Sequence, residues 1–181
     1  MNHHISFFKE AVKNWRSTGS IVRSSPRLIK KMMQSIAFEE IDLIVELGAG
    51  QGCITKALAQ SLKGDTRLLA LELNNQFFEE LFLIAKENVE IIQGDALHLP
   101  AYVKKESVDV VVSGLPFANF SPKLKTDILE KCYESLKPNG LFIQFQYSLI
   151  DYKLLQRKFS SVEKKFTPLN IPPAFIYICR K

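Results

Sequence analysis

The run Leu43-Ile44-Val45-Glu46-Leu47, followed at once by Gly48-Ala49-Gly50-Gln51-Gly52, constrains the fold of this chain more than any other segment. A short apolar run that ends at glycines reads as a buried strand entering a tight turn. Helical spacing follows from Ile54 to Leu62. Strand, glycine turn and helix in that order bring backbone close to a ligand, in a crevice at the carboxyl edge of a parallel sheet. A dinucleotide fingerprint requires G-x-G-x-x-G, whereas the glycines here fall at 48, 50 and 52 and position 53 is Cys. Glu46 precedes the turn, and Glu72 lies 22 residues beyond Gly50, near the end of the strand-like run Arg67 to Leu73. A carboxylate at that place can accept hydrogen bonds from both hydroxyls of a ribose, each charge-assisted bond contributing roughly 1.5–3 kcal/mol.

The alternation continues along the chain. Phe77 to Ala85 has helical spacing, and Val89 to Ile92 and Val108 to Val112 read as strands. Pro122 opens a helix to Leu136, with Ser121 as N-cap and Asn139-Gly140 as its stop. Leu141 to Tyr147 reads as a fifth strand, and a helix follows from Tyr152 to Phe159. Val162 to Asn170 and Phe175 to Cys179 read as two more strands, joined around Pro172-Pro173 by a link too short for a crossover helix. The last pair is therefore antiparallel. Strands alternating with helices imply an otherwise parallel sheet covered on both faces.

Several function classes are disfavoured. Cys53, Cys132 and Cys179 form no CxxC pair, and His3, His4 and His98 make no metal set. No apolar run approaches the ~20 residues that span a bilayer. Lys9, Glu10 and Lys13 break the first apolar stretch, so no signal peptide is expected, and the protein is expected to stay in the cytosol or lie on a membrane surface. The net charge of +5 is uneven. Residues 1–35 hold seven basic residues and one acid, a net +6, while the other 17 basic and 18 acidic residues leave −1 on residues 36–181. The expected division is a basic arm and lid over 1–35 and a catalytic domain over 36–181. A positive arm suits an anionic surface, either lipid or nucleic acid.

The acid-x-G-x-G-x-G pattern from Glu46 to Gly52 resembles motif I of the class I methyltransferases. That resemblance implies a Rossmann-like three-layer α/β sandwich with N-terminal helices. Its sheet would have seven strands, mostly parallel, with one antiparallel strand at the C-terminal end. It also implies S-adenosylmethionine as cofactor and S-adenosylhomocysteine as product. Glu46, Gly48, Gly50 and Gly52 would form the cradle, and Glu72 and Leu73 would lie at the ribose. Asp95 and Ala96 would meet the adenine, and Ser113 would complete the cofactor set. Arg23 lies in the segment Thr18 to Pro26, whose Ser, Gly and Arg residues suit a lid that meets the cofactor carboxylate or a lipid phosphate, with a plain interdomain turn as the alternative. On a structural reading Asp95 is only a helix or turn cap, and the adenine role is the preferred one.

After the fourth strand the chain reads Ser113-Gly114-Leu115-Pro116-Phe117. Amino-adenine methyltransferases, including the ribosomal RNA dimethylases, carry (Asn/Asp)-x-Pro-aromatic there, so Gly114 lacks their polar side chain. A closer resemblance, along almost the whole chain, is to the bacterial phospholipid N-methyltransferases. It rests on Gly19 to Pro26, Val112 to Pro116, Gln144-Phe145-Gln146-Tyr147 and Asn170-Ile171-Pro172-Pro173-Ala174. The resemblance implies a monotopic enzyme, peripheral to the inner face of the membrane, that converts phosphatidylethanolamine towards phosphatidylcholine; a monomer is expected. Another aminolipid, such as ornithine lipid, or an adenine of structured RNA is the alternative acceptor. Tyr147, Phe117 and Ser113 are the expected catalytic contacts, with the rings of Tyr147, Phe117 and Trp15 available to cage a methylammonium. Ordinary packing is an equal reading for Phe117.

The arm supports a lipid acceptor independently. As a helix, Ile5, Phe8, Val12 and Trp15 share one narrow face, and Lys9, Lys13 and Arg16 line its edge. That layout suits a helix lying in a bilayer interface, with each basic residue near an anionic leaflet worth roughly 1 kcal/mol. By composition alone a helix packed on the domain with a basic solvated face is the stronger reading, and the resemblance to the lipid enzymes is what favours the interface.

Overall fold

The computed structural model describes residues 24–168 and 170–181. Seven strands form one sheet in the order β3-β2-β1-β4-β5-β7-β6. They are β1 (Leu43–Leu47), β2 (Arg67–Glu72), β3 (Val89–Gln93), β4 (Val108–Ser113), β5 (Leu136–Gln146), β6 (Ser161–Thr167) and β7 (Ala174–Arg180). The pairings from β3 across to β5 are parallel, and β7 runs antiparallel to both β5 and β6. This is the expected architecture. The strand order reverses between β1 and β4, so the crevice for a ligand lies at their carboxyl ends.

The central strands are apolar on both faces because helices cover both. On one side Ile44, Leu68, Val110, Ile143 and Ile176 pack under α1 (Pro26–Met33), α2 (Cys53–Ser61) and α3 (Asn75–Phe82). On the other, Val45, Leu69, Val111, Phe142 and Tyr177 pack under α4 (Pro122–Ser135), α5 (Tyr152–Lys158) and a 3-10 turn at Ala96–Ala101. β3 and β6 are the edge strands; in β6 the edge is charged. Its Glu163, Lys164 and Lys165 are a charged segment that discourages pairing with another chain.

Three local expectations shift. The helix expected to reach Leu136 ends at Ser135, and Leu136 is instead a fully buried strand residue paired with Val108. The register then slips before Leu141 pairs with Val110, and Asn139 adopts a φ of 64° in the intervening bulge. Asn139-Gly140 therefore shapes a bulge within β5 rather than stopping a helix. β6 ends at Thr167, not Asn170, since Pro168 has no N–H to continue the ladder. The helix expected over 77–85 runs from Asn75 to Phe82, capped by the Asn74 side chain, which accepts from the Gln76 N–H at 2.8 Å.

Part of the segment assigned to the arm belongs to the domain. Ser25 caps α1, with Pro26 in its first turn, and Leu28, Ile29 and Met32 of α1 are buried in the core. The boundary expected at residue 35 thus cuts through packed structure. Phe8, Lys9, Lys13, Trp15, Arg16 and Arg23 lie outside the described residues.

Candidate active site

The turn after β1 is built as a cradle. Gly48, Gly50 and Gly52 have φ values of 74°, 55° and 76°, a region that side chains disfavour. The Gly48 and Ala49 N–H groups both donate to the Leu71 carbonyl, tying the turn to β2 at 2.9 and 3.1 Å. Glu72 completes it from the end of β2. One carboxylate oxygen accepts from the Gly50 N–H at 2.8 Å and the other from the Asn74 N–H at 2.7 Å. A carboxylate has about four lone-pair sites, so both oxygens keep capacity for a ribose hydroxyl. Glu72 both shapes the turn and faces what the turn holds.

Two further acids sit beside the cradle with uncompensated oxygens. Glu46 is wholly buried, and neither carboxyl oxygen has a hydrogen-bond partner among the described residues. Burial pushes its carboxyl up to about 8; Thr55, in the first turn of α2, tempers the rise without reaching hydrogen-bonding geometry, and the Glu72 charge adds to it. Asp95 divides its two oxygens. One accepts from the Leu97 N–H at 2.9 Å and caps the 3-10 turn; the other is buried and bare among the described residues. The capping role and the adenine-binding role are therefore compatible. Burial also raises the Asp95 carboxyl above its ordinary range, partly offset by the Leu97 N–H.

These groups fit S-adenosylmethionine by chemistry. Glu72 suits the ribose diol, the bare Asp95 oxygen suits the exocyclic amine of adenine, and the bare Glu46 carboxyl suits a cationic end. Leu73, partly buried, and Ala96, buried, stand at the ends of β2 and β3, where they would suit apolar walls for the cofactor. The bound group would supply an electrophilic methyl on a sulfonium; the chain supplies positioning and exclusion of water.

The acceptor side lies one strand over. Ser113 ends β4, is fully buried, and its Oγ accepts from the Leu115 N–H at 3.3 Å. Gly114 follows, and its N–H donates to the Leu47 carbonyl at 2.8 Å. A Cβ added at Gly114 would lie 2.8 Å from the Gly48 carbonyl oxygen, a backbone atom. The two loops interlock in the other direction too, since a Cβ on Gly48 would meet the Leu115 side chain at 2.8 Å. Gly114 is thus dictated by the fit between the cradle and the loop after β4. Gly114→Asn, which supplies the side chain typical of adenine methyltransferases, is expected to cost about 1–3 kcal/mol by overpacking. It should also weaken S-adenosylhomocysteine binding at least tenfold. Thermal unfolding and calorimetry check this, and unchanged cofactor affinity would refute the interlock.

Phe117 is fully buried, and its ring packs 5.8 Å from that of Phe120. It fills the core and does not present a stacking face at the surface, in keeping with its packing reading. Tyr147 is 40% exposed, directly after β5, with its ring edge-on to Phe145. Burial raises its phenol and Asn170 partly offsets the rise, so Tyr147 is neutral at physiological pH and suits a contact role rather than that of a base.

Three separated motifs meet here. The Ser25 hydroxyl donates to Asn170 Oδ1 at 2.7 Å, Asn170 Nδ2 donates to the Pro172 carbonyl at 2.7 Å, and Tyr147 lies beside Asn170. Asn170 and the glutamines of β5 carried no assigned role in the sequence reading. The glutamines had left a signal, as polar residues alternating along the end of an otherwise apolar strand.

Residues 44–140 match the family described as a methyltransferase domain. The ornithine lipid N-methyltransferase of Singulisphaera acidiphila is 32% identical, over 99% of this chain and 97% of that protein. A probable ribosomal RNA small subunit methyltransferase A of Methanococcus aeolicus is 29% identical, over 59% of this chain and 38% of that protein. Among solved structures, an O-methyltransferase from Bacillus cereus in complex with S-adenosylhomocysteine superposes with a TM-score of 0.73 and 18% identity. The match covers 97% of this chain and 91% of that one. With its cradle, its strand order and these likenesses, the chain belongs to the class I S-adenosylmethionine-dependent methyltransferases.

Proposed function

We propose that this enzyme methylates the terminal amine of an aminolipid at a membrane surface, with an ornithine-type lipid preferred over phosphatidylethanolamine. The observation that carries this is the end-to-end likeness to the ornithine lipid N-methyltransferase. The likeness to the ribosomal RNA enzymes spans only part of either chain, and Gly114 lacks the polar side chain used on adenine.

The surface supports a lipid. Tyr147, Leu149, Ile150, Phe166 and Ile171 are exposed, Ile150 and Ile171 by 70% and 85%. All five lie at one edge of the sheet, where β5 and β6 end and β7 begins. Lys153, Lys164 and Lys165 accompany them in sequence, and Lys31 of α1 reaches this edge, donating to the Phe166 carbonyl. An apolar rim with basic flanks suits an anionic bilayer. The edge is also the one at which β1, β2 and β4 present the cofactor residues, so a headgroup entering there approaches the site. No helix among the described residues is long and apolar enough to cross a membrane, and a peripheral location fits the rim.

An ammonium carries no free lone pair, so the headgroup must lose a proton before it attacks. A partly desolvated site favours the neutral amine.

The test is labelled cofactor with vesicles of anionic lipid carrying either ornithine lipid or phosphatidylethanolamine. Label is expected in ornithine lipid at least tenfold above phosphatidylethanolamine. Absence of label from both, or transfer to structured RNA in their place, would overturn the reading. Ile150→Ser with Ile171→Ser should weaken vesicle sedimentation by about a hundredfold, at about 1.5 kcal/mol for each lost side chain. Cofactor affinity should be unaffected.

A further inference from the structure

Gly114 leaves the acceptor side without the hydrogen-bond acceptor that an amine needs, and the neighbouring strand carries two. Gln144 and Gln146 alternate on one face of β5, 0% and 5% exposed. Gln144 pairs in register with Ser113, and Ser113 with Leu47, so one row crosses the sheet from the foot of the glycine turn to Gln144. At about 4.8 Å between strands, that row places Gln144 roughly 10 Å from the start of the cradle. The Gln144 amide is anchored, since its Nε2 donates to the Leu115 carbonyl at 3.1 Å, next to Gly114. The anchor leaves Gln144 Oε1 buried without a partner among the described residues, and Gln146 has neither Oε1 nor Nε2 satisfied there. Buried polar atoms are nearly always paired, so three bare amide atoms on one face of one strand need an explanation. Leucine or methionine would fill the same volume without leaving a polar atom unpaired.

We propose that Gln144 Oε1 and Gln146 Oε1 form the amine-binding site, each accepting an N–H of the acceptor nitrogen. The inference rests on the aminolipid reading for its substrate and on the two side chains for its site. A neutral primary amine has two N–H groups and one lone pair. Two acceptors on one side hold both N–H groups and turn the lone pair away from the strand. That lone pair forms the new N–C bond while the methyl–sulfur bonding pair returns to sulfur. The product nitrogen is then cationic and releases a proton to water before another round. Each methyl removes one N–H, so the hold weakens with every transfer. The first methylation is favoured, and a dimethylated amine has no N–H left for this site.

The experiment compares Gln144→Leu and Gln146→Leu with the wild type, using three soluble ligands. These are N-octanoyl-ornithine, its δ,δ-dimethyl derivative, and N-octanoyl-norvaline, which lacks the amine. Dihexanoyl-phosphatidylethanolamine is a fourth arm that separates the headgroup sources. The expected result is a fall of at least tenfold in kcat/KM on the unmethylated amine, with a smaller fall on the dimethylated one. S-adenosylhomocysteine affinity should stay within twofold. For Gln146→Leu the unfolding temperature should rise by a few degrees, because an unpaired amide is removed. Gln146→Glu keeps an acceptor and should retain most of the activity, with its pH optimum moved upward because a carboxylate favours the ammonium form. A binding readout accompanies the kinetics: N-octanoyl-ornithine should raise the unfolding temperature of the wild type more than the norvaline compound does, and the leucine variants should lose that difference. Leucine variants with wild-type kcat/KM and wild-type selectivity between the two amines would overturn the site. So would a wild type that binds the amine and the norvaline compound alike. If the wild type favours phosphatidylethanolamine and the leucine variants lose it, the amide site stands and the ornithine preference falls.

Discussion

Glu72→Ala is expected to weaken S-adenosylhomocysteine binding by several hundredfold or more while leaving vesicle binding intact. The magnitude follows from two charge-assisted bonds to a ribose, each roughly 1.5–3 kcal/mol. The structure adds a second route to the same loss. Glu72 holds the Gly50 and Asn74 N–H groups at 2.8 and 2.7 Å, so its removal also frees the Gly50 end of the turn, while Gly48 and Ala49 stay bonded to the Leu71 carbonyl. Glu72→Gln keeps one acceptor at similar size and should lose less, by about tenfold to a hundredfold. Calorimetric titration checks both variants. Equal loss of cofactor and vesicle binding would mean that the fold, rather than the site, had been damaged.

Glu46→Gln is expected to change how stability depends on pH. In the folded protein the Glu46 carboxyl titrates at about 8 against an ordinary value of 4.5, chiefly because burial disfavours its charged form. Between those values the folded state keeps a proton that the unfolded state has released. Stability therefore falls as pH rises across that window, by up to about 1.4 kcal/mol per pH unit. The contribution is complete below 4.5 and gone above about 8. The cofactor-free wild type should lose several kcal/mol between pH 5 and pH 8 in urea unfolding. Glu46→Gln should be flatter over the same range and more stable than the wild type at pH 8. Parallel profiles for the two proteins would refute this assignment. A ligand with a cationic end near Glu46 should oppose the trend, because it favours the ionised carboxylate.

Much of the site is legible because its determinants are local. A glycine turn after an apolar strand is written in consecutive residues, and the partner acid follows one helix and one strand later. The alternation of elements sets the parallel sheet, and the short link between the last two strands forces an antiparallel end. Boundaries were less legible where packing overrides local preference. Leu136 follows a helical pattern, yet it is buried against Val108 as a strand residue. Asn139-Gly140, a sound helix stop by composition, serves a register slip instead.

The sequence by itself determined the cradle, since φ values that favour glycine and the reach of one carboxylate depend on neighbours along the chain. It also set the sheet's class through the periodicity of its apolar residues. Only the tertiary structure decided what Gly114 means. Read along the chain it is a missing side chain; in the fold it is the position where any Cβ would strike the Gly48 carbonyl, 66 residues away. Only the fold set Gln144 against the Leu115 carbonyl and left its other amide atom without a partner among the described residues. It alone brought Ser25, Tyr147 and Asn170 to one corner. The reason is physical: a turn is specified by local backbone geometry, whereas contact and burial depend on which strands become neighbours across the sheet.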